Sequence, residues 1–207
     1  MKKRFEELKQ KNNVIAILRG VTPDEIVGVC DALADGGITL LEIPLNSPNP
    51  LESIARAAKH CGERQMVGAG TVLTPEEVRK VAEAGGSFVI SPNTDAAVIR
   101  ETKRLGLISI PGFFTATEGF AAVQAGADYL KLFPAVLGPE YIKDLKTVIK
   151  TPILAVGSVN LENARDFLNV CEGIVVGRAL YKPGKPLDEI AKDARLFTEA
   201  VHEIADR

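Results

Sequence analysis

The chain has 207 residues, 46% hydrophobic and 25% charged, with 25 Lys and Arg against 27 Asp and Glu. That length supports one domain, or two small ones, burying roughly 70% of the unfolded surface, and it excludes disordered, collagen-like and small disulfide-stapled classes. The nearly balanced charge, spread without blocks, gives no footprint for nucleic acid or a membrane surface, so small molecules are the expected partners.

Residues 2–11 are charged, but Phe5 and Leu8 share a face at helical spacing, and this segment is expected to cover one end of the fold. The apolar run behind it, residues 14–18, is too short for a signal-peptide core or a membrane span, so no export is expected. The cysteines, Cys30, Cys61 and Cys171, are odd in number and widely spaced. They read as reduced thiols of a cytoplasmic protein, without a disulfide framework or a CxxC site.

Further apolar runs follow at residues 38–43, 66–68, 88–90, 107–110, 129–133, 153–156 and 173–176, making eight candidate buried strands. Helical spacing lies between them, as in Ile26, Val29, Cys30 and Leu33, or Val78, Val81 and Ala82. Thr22-Pro23-Asp24-Glu25, Thr74-Pro75-Glu76-Glu77 and Thr115-Ala116-Thr117-Glu118 each place Thr at an N-cap with Glu three residues on, the pattern of a capping box. Gly36-Gly37, Gly85-Gly86 and Gly126 sit where left-handed C-caps are needed. Eight cap, helix, glycine and strand units predict an α/β fold, a (β/α)8 TIM barrel with an extra N-terminal helix, spanning residues 1–207. An open doubly wound sheet competes, but no GxGxxG opens a helix and no GxxxxGK[ST] is present.

Charges interrupt three of these runs: Arg19 ends the first, Glu42 sits in Leu40-Leu41-Glu42-Ile43-Pro44, and Lys131 sits in Tyr129-Leu130-Lys131-Leu132-Phe133. All three lie near strand C-termini, the end at which barrels build active sites, and burying any one alone costs several kcal/mol. A buried Lys131–Glu42 ion pair with Arg19 reaching solvent is the bland reading. The functional one is a Schiff-base constellation, in which burial supplies a neutral amine and the carboxylate moves protons. Such chemistry needs no metal or cofactor, and His60 and His202 stand isolated on predicted helices.

Thr71, at the end of the third strand, offers a hydroxyl for a carboxylate or carbonyl oxygen, or is simply a turn threonine. Ser91, Pro92 and Asn93 end the fourth strand without assigned chemistry. Gly157-Ser158-Val159 and Gly177-Arg178-Ala179 end the last two strands, where barrels often bind phosphate. Each precedes a predicted helix whose N-terminus favours an anion, unless the glycines merely turn the chain. Arg178 either adds charge to such a site or fills it.

At Ile15-Ala16-Ile17-Leu18-Arg19-Gly20, Glu42-Ile43-Pro44-Leu45-Asn46-Ser47-Pro48, Gly68-Ala69-Gly70-Thr71-Val72, Pro111-Gly112 and Leu130-Lys131-Leu132-Phe133-Pro134, the chain resembles the class I aldolases that cleave 2-dehydro-3-deoxy-6-phosphogluconate and its galactonate epimer. The resemblance runs nearly end to end and implies a homotrimer of barrels. It implies that Lys131 is the Schiff-base lysine and Glu42 the general acid/base, that Arg19 and Thr71 hold the pyruvoyl carboxylate, and that Gly112 and Phe133 line the pyruvate pocket. Asn46, where gluconate enzymes typically carry Arg, resembles the phosphogalactonate branch. At the phosphate end the family's Gly-Gly-Val and Gly-Ser are replaced by Gly157-Ser158-Val159 and Gly177-Arg178. The expected reaction is reversible cleavage to pyruvate and D-glyceraldehyde 3-phosphate. The alternatives are a 4-hydroxy-2-oxoglutarate aldolase giving glyoxylate, a phosphate-binding barrel isomerase or epimerase, and a non-catalytic binding barrel.

Overall fold

The short apolar runs become parallel strands joined by helical crossovers. In the computed structural model, which describes residues 1–205 and side chains as far as Val201, the strands are β1 (Val14–Ile17), β2 (Leu40–Pro44), β3 (Met66–Gly70), β4 (Phe88–Ile90), β5 (Ile108–Ile110), β6 (Gly112–Phe113), β7 (Leu130–Leu132), β8 (Ile153–Val156) and β9 (Gly173–Val176). Their hydrogen-bonded order is β5-β4-β3-β2-β1-β9-β8-β7-β6. β5 and β6 are two halves of one strand interrupted at Pro111, which has no N–H for the ladder. One half pairs with β4 and the other with β7, so the ring closes as the expected (β/α)8 barrel.

The helices are α1 (Lys2–Asn12), α2 (Ile26–Asp35), α3 (Pro50–Cys61), α4 (Pro75–Glu83), α5 (Ala96–Arg104), α6 (Ala116–Ala125), α7 (Gly138–Val148), α8 (Ala164–Leu168) and α9 (Leu187–Ala205). Two of the three capping boxes form in full. Thr74 accepts from the Glu77 N–H and Thr115 from the Glu118 N–H, while each glutamate accepts from its threonine's N–H in return. The Thr22 box is only half made. The Glu25 carboxylate accepts from the Thr22 N–H at 3.3 Å, but α2 starts at Ile26 with Glu25 as its N-cap. The same carboxylate oxygen also accepts from the Tyr181 hydroxyl, a partner 156 residues away that no local motif could announce.

Strand alternation sorts the apolar side chains into two layers. Val14, Ala16, Leu41, Ile43, Leu130 and Leu132 face the helices, whereas Ile15, Leu40, Met66, Phe88, Tyr129 and Val175 fill the barrel. α1 closes the floor, as its Phe5 and Leu8 predict. Phe5 is fully buried, its ring centroid 5.5 Å from that of Phe88 and 5.3 Å from that of Tyr129. The Tyr129 hydroxyl donates to Glu6, tying the plug to the strand above it. Among the described residues no helix is long and apolar enough to cross a membrane.

Candidate active site

Parity along the strands decides which charges enter the barrel. Ile17 and Leu40 line the inner cluster, and Tyr129 lies two residues before Lys131, so Glu42 and Lys131 share the inward phase of β2 and β7. Register places Ile17 opposite Glu42 and Gly112 opposite Lys131, near the strand C-termini. Glu42 is 1% exposed and Lys131 6%. Burial pushes the Glu42 carboxyl above the usual carboxylate range, against the pull of Lys131 and Arg19. Burial likewise pushes the Lys131 amine down, with Glu42 opposing the shift and Arg19 adding to it.

These shifts favour an uncharged amine beside a carboxyl able to hold a proton. The closed ion pair does not form. Glu42 Oε2 is buried with no hydrogen-bond partner among the described residues, an acceptor left unsatisfied by its surroundings. Phe133 stands beside the lysine, its ring centroid 4.7 Å from Lys131 Nζ and the residue 40% exposed.

Gly70, within the Gly68-Ala69-Gly70-Thr71-Val72 motif, makes room for the carboxyl: a Cβ there would stand 1.6 Å from Glu42 Oε1. The signal was present, because Gly68 and Gly70 occupy successive inward positions of β3 where side chains would otherwise fill the barrel. Thr71 follows in the left-handed region at φ 57°, a conformation that a β-branched residue adopts only under constraint. Ser91 contributes to that loop, its hydroxyl donating to the Val72 carbonyl at 2.8 Å.

Arg19 extends from the end of β1 and donates to Asn46 Oδ1 at 2.6 Å. The residue that marks the galactonate-like pattern is therefore the hydrogen-bond partner of this arginine. Gly112 is required by packing as well as by register, since a Cβ there would lie 2.3 Å from the Pro92 carbonyl oxygen.

The two glycine loops do not present helix N-termini to an anion as expected. After Gly157 and Ser158, both at positive φ, α8 is only five residues long. The N–H groups of Asn160, Glu162 and Asn163 just ahead of it are already taken by the Asn160 and Asn163 side chains. After Gly177 and Arg178 no helix starts until α9, and the Leu180 and Tyr181 N–H groups donate back to the Gly177 carbonyl. Both loops turn the chain before their helices begin, α8 at Ala164 and α9 at Leu187. Arg19, Gly177 and Arg178 line one cleft of about 500 Å³, whose lining includes neither Gly157 nor Ser158. Away from the mouth, His60 is held by Asp31 at 2.8 Å, and the His202 side chain lies outside the described residues.

A buried lysine and carboxylate at the mouth of a parallel barrel describe a site able to form an imine. Residues 5–193 match the family described as KDPG and KHG aldolase. The chain belongs to that family. It is 42% identical over 194 residues to the 2-dehydro-3-deoxy-6-phosphogalactonate aldolase of Escherichia coli (strain K12), covering 92% of this chain and 95% of the relative. Against the 2-dehydro-3-deoxy-phosphogluconate aldolase of Pseudomonas aeruginosa the identity is 30% over 208 residues, covering 98% and 94%. A solved structure described as "Native KDPGal structure" superposes with a TM-score of 0.91 at 40% identity, over 94% of this chain and 96% of that one. This member of the family is thus a class I pyruvate aldolase, a carbon–carbon lyase, and the isomerase and binding-barrel alternatives fall.

Proposed function

We propose that this aldolase reversibly cleaves 2-dehydro-3-deoxy-6-phosphogalactonate to pyruvate and D-glyceraldehyde 3-phosphate, with Lys131 as nucleophile and Glu42 as proton carrier. The observation that carries the assignment is the joint burial of Lys131 and Glu42 inside the barrel mouth, with one oxygen of Glu42 unpartnered. Higher identity to phosphogalactonate than to phosphogluconate enzymes favours the galactonate epimer.

In this reading neutral Lys131 attacks the C2 ketone, giving a carbinolamine that loses water to form an iminium. Glu42, directly or through a water, takes the C4 hydroxyl proton. The C3–C4 bond breaks with its electrons flowing into the iminium, so the aldehyde leaves and an enamine remains. Glu42 returns the proton to C3, and water frees pyruvate and the amine. Such positioned proton transfer contributes about 10²–10⁴-fold.

Arg19 and Thr71 hold the pyruvoyl carboxylate, and Gly112 and Phe133 shape the pyruvate pocket. The loops at Gly157, Ser158, Gly177 and Arg178 face the phosphate end. Residues 1–207 act as one catalytic barrel in the cytoplasm, consistent with three free thiols. Exposed Phe120, Val123, Val136, Leu137 and Val148 supply apolar surface for a homotrimer. Sedimentation equilibrium should return three chain masses, and a monomer would remove that part of the reading.

The test of the chemistry is borohydride reduction in the presence of pyruvate, followed by peptide mass mapping. A stable adduct on Lys131 is expected. An unmodified Lys131 in folded protein would sink the assignment. Screening D-glyceraldehyde 3-phosphate against glyoxylate as the condensing aldehyde then separates the phosphosugar reading from the 4-hydroxy-2-oxoglutarate one.

A further inference from the structure

At the end of β4 the backbone ladder thins. Its pairing with β5 stops at Ile90–Ile110, where Pro111 follows, and its pairing with β3 is at Ala69–Val89. The backbone bonds beyond those pairs are long, from the Ser91 N–H to the Ile110 carbonyl at 3.3 Å and from the Val72 N–H to the Ile90 carbonyl at 3.4 Å. Side-chain hydroxyls tighten the seam on both sides. Ser91 Oγ donates to the Val72 carbonyl at 2.8 Å towards β3, and Thr94 Oγ1 donates to the Gly112 carbonyl at 2.7 Å towards β6.

Thr71 stands at this seam, at φ 57°. A left-handed backbone at a β-branched residue persists only where its surroundings over-determine it, and here the chain is held on both sides. Before Thr71 the Gly70 carbonyl accepts from the Leu45 N–H at 2.8 Å, and after it the Leu73 N–H donates to Glu77 at 2.7 Å. Between these anchors the Val72 carbonyl takes the Ser91 hydroxyl. Ser91 is 3% exposed, so water does not compete for that bond, whereas the Thr71 hydroxyl has no partner among the described residues.

We propose that Ser91 is a positioning residue for the pyruvate end of the site: its hydroxyl, bonded to the carbonyl just after Thr71, holds Thr71 in the conformation from which the threonine hydroxyl meets the pyruvoyl carboxylate. The assignment rests on the aldolase reading above and on the role given there to Thr71. Without the Ser91 hydroxyl the Val72 carbonyl is released, and Thr71 relaxes towards the regions that β-branched residues ordinarily occupy. Ser91 acts through the backbone of the neighbouring loop and has no hydrogen bond to Lys131 or Glu42, so its loss weakens the binding of pyruvate more than the bond-breaking step.

The test measures KM for pyruvate and kcat, in condensation with D-glyceraldehyde 3-phosphate, for wild type, Ser91→Ala, Thr71→Ala and the double variant. Ser91→Ala should raise KM for pyruvate about 10-fold, the effect of one misplaced hydrogen bond to a charged group, and leave kcat within about twofold. In the Thr71→Ala background the same substitution should raise KM by less than about twofold, because the group it positions is gone. Equal increases in both backgrounds, an unchanged KM in Ser91→Ala, or a loss confined to kcat overturns the positioning role.

Two further variants separate positioning from general loosening. Ser91→Cys is nearly isosteric and only a weak donor, so a fully folded protein should still show the raised KM, and a wild-type KM in that variant overturns the role. Thr102 is fully buried and donates to the Val98 carbonyl at 2.8 Å within α5, so Thr102→Val removes a comparable bond away from the mouth. It should lower the thermal midpoint without moving KM; a KM increase matching that of Ser91→Ala overturns the proposal. A borohydride-trapped pyruvate adduct on Lys131 alongside an unmoved KM in Ser91→Ala leaves the aldolase reading standing and removes the positioning role alone. Absence of the adduct in wild type removes both.

Discussion

At the floor of the barrel, Phe5 and Leu8 of α1 meet Phe88 and Tyr129 in an aromatic plug that excludes water. At the mouth, the same inward phase of the strands carries Glu42 and Lys131, charges whose burial opposes folding. The contrast shows how one alternating pattern serves two purposes. Where the inward residues are apolar they stabilise the closed ring, and where they are ionisable their desolvation creates an amine and a carboxyl with altered basicity. Stability and chemistry are separable along the barrel axis, and substitutions at the two ends should fail in different ways.

The largest expected effect is at the mouth. Lys131→Met should lower turnover by about 10⁴-fold or more and abolish the pyruvate adduct with it, while circular dichroism shows a folded barrel. A variant that still cleaves through an imine would move the nucleophile elsewhere.

At the floor, Phe5→Ala should cost about 3–5 kcal/mol of unfolding free energy, read from a denaturant midpoint, because the ring leaves a cavity among Phe88 and Tyr129. Its remaining folded fraction should still form the adduct. Loss of adduct at full foldedness would show that the two ends are coupled.

Glu42→Gln should reduce kcat by about 10²–10⁴-fold and also shift a pH profile in a defined direction. The Glu42 charge raises the Lys131 pKa against burial, and the Arg19 charge lowers it. Removing Glu42 lets the amine stay neutral to lower pH, so the acid limb of adduct formation moves down; Arg19→Met moves it up. Limbs that stay in place would mean that another group titrates. The smallest effect belongs to the outer shell, where Thr74→Ala removes one capping bond of α4 and should cost about 1 kcal/mol of stability with no change in the pH profile.

Most of the barrel was legible because its signals are local. Residues 88–90, 153–156 and 173–176 have the predicted strand boundaries, since each is a short apolar run bounded by polar and glycine-containing turns. Glu42 and Lys131 stood out as charges inside such runs, and strand parity then implied that they face inward.

What escaped depends on distant partners. Tyr181 reaches back to Glu25, the residue at which α2 is capped in place of Thr22. Gly70 matters because of Glu42, which lies on the neighbouring strand. The helices expected after Gly157 and Gly177 form but start late, α8 at Ala164 behind asparagine side-chain bonds and α9 at Leu187 behind a turn. Glycine spacing cannot report either event.

Thr71 places the floor-and-mouth contrast on the timescale of selection. A β-branched residue held at φ 57° stores about 1–3 kcal/mol of backbone strain that glycine would release. Under selection for heat resistance alone, this position should drift to glycine, and under selection for turnover the hydroxyl should return. A library carried through alternating rounds of both would show Thr71 as the residue at which thermostability and catalytic fitness pull in opposite directions.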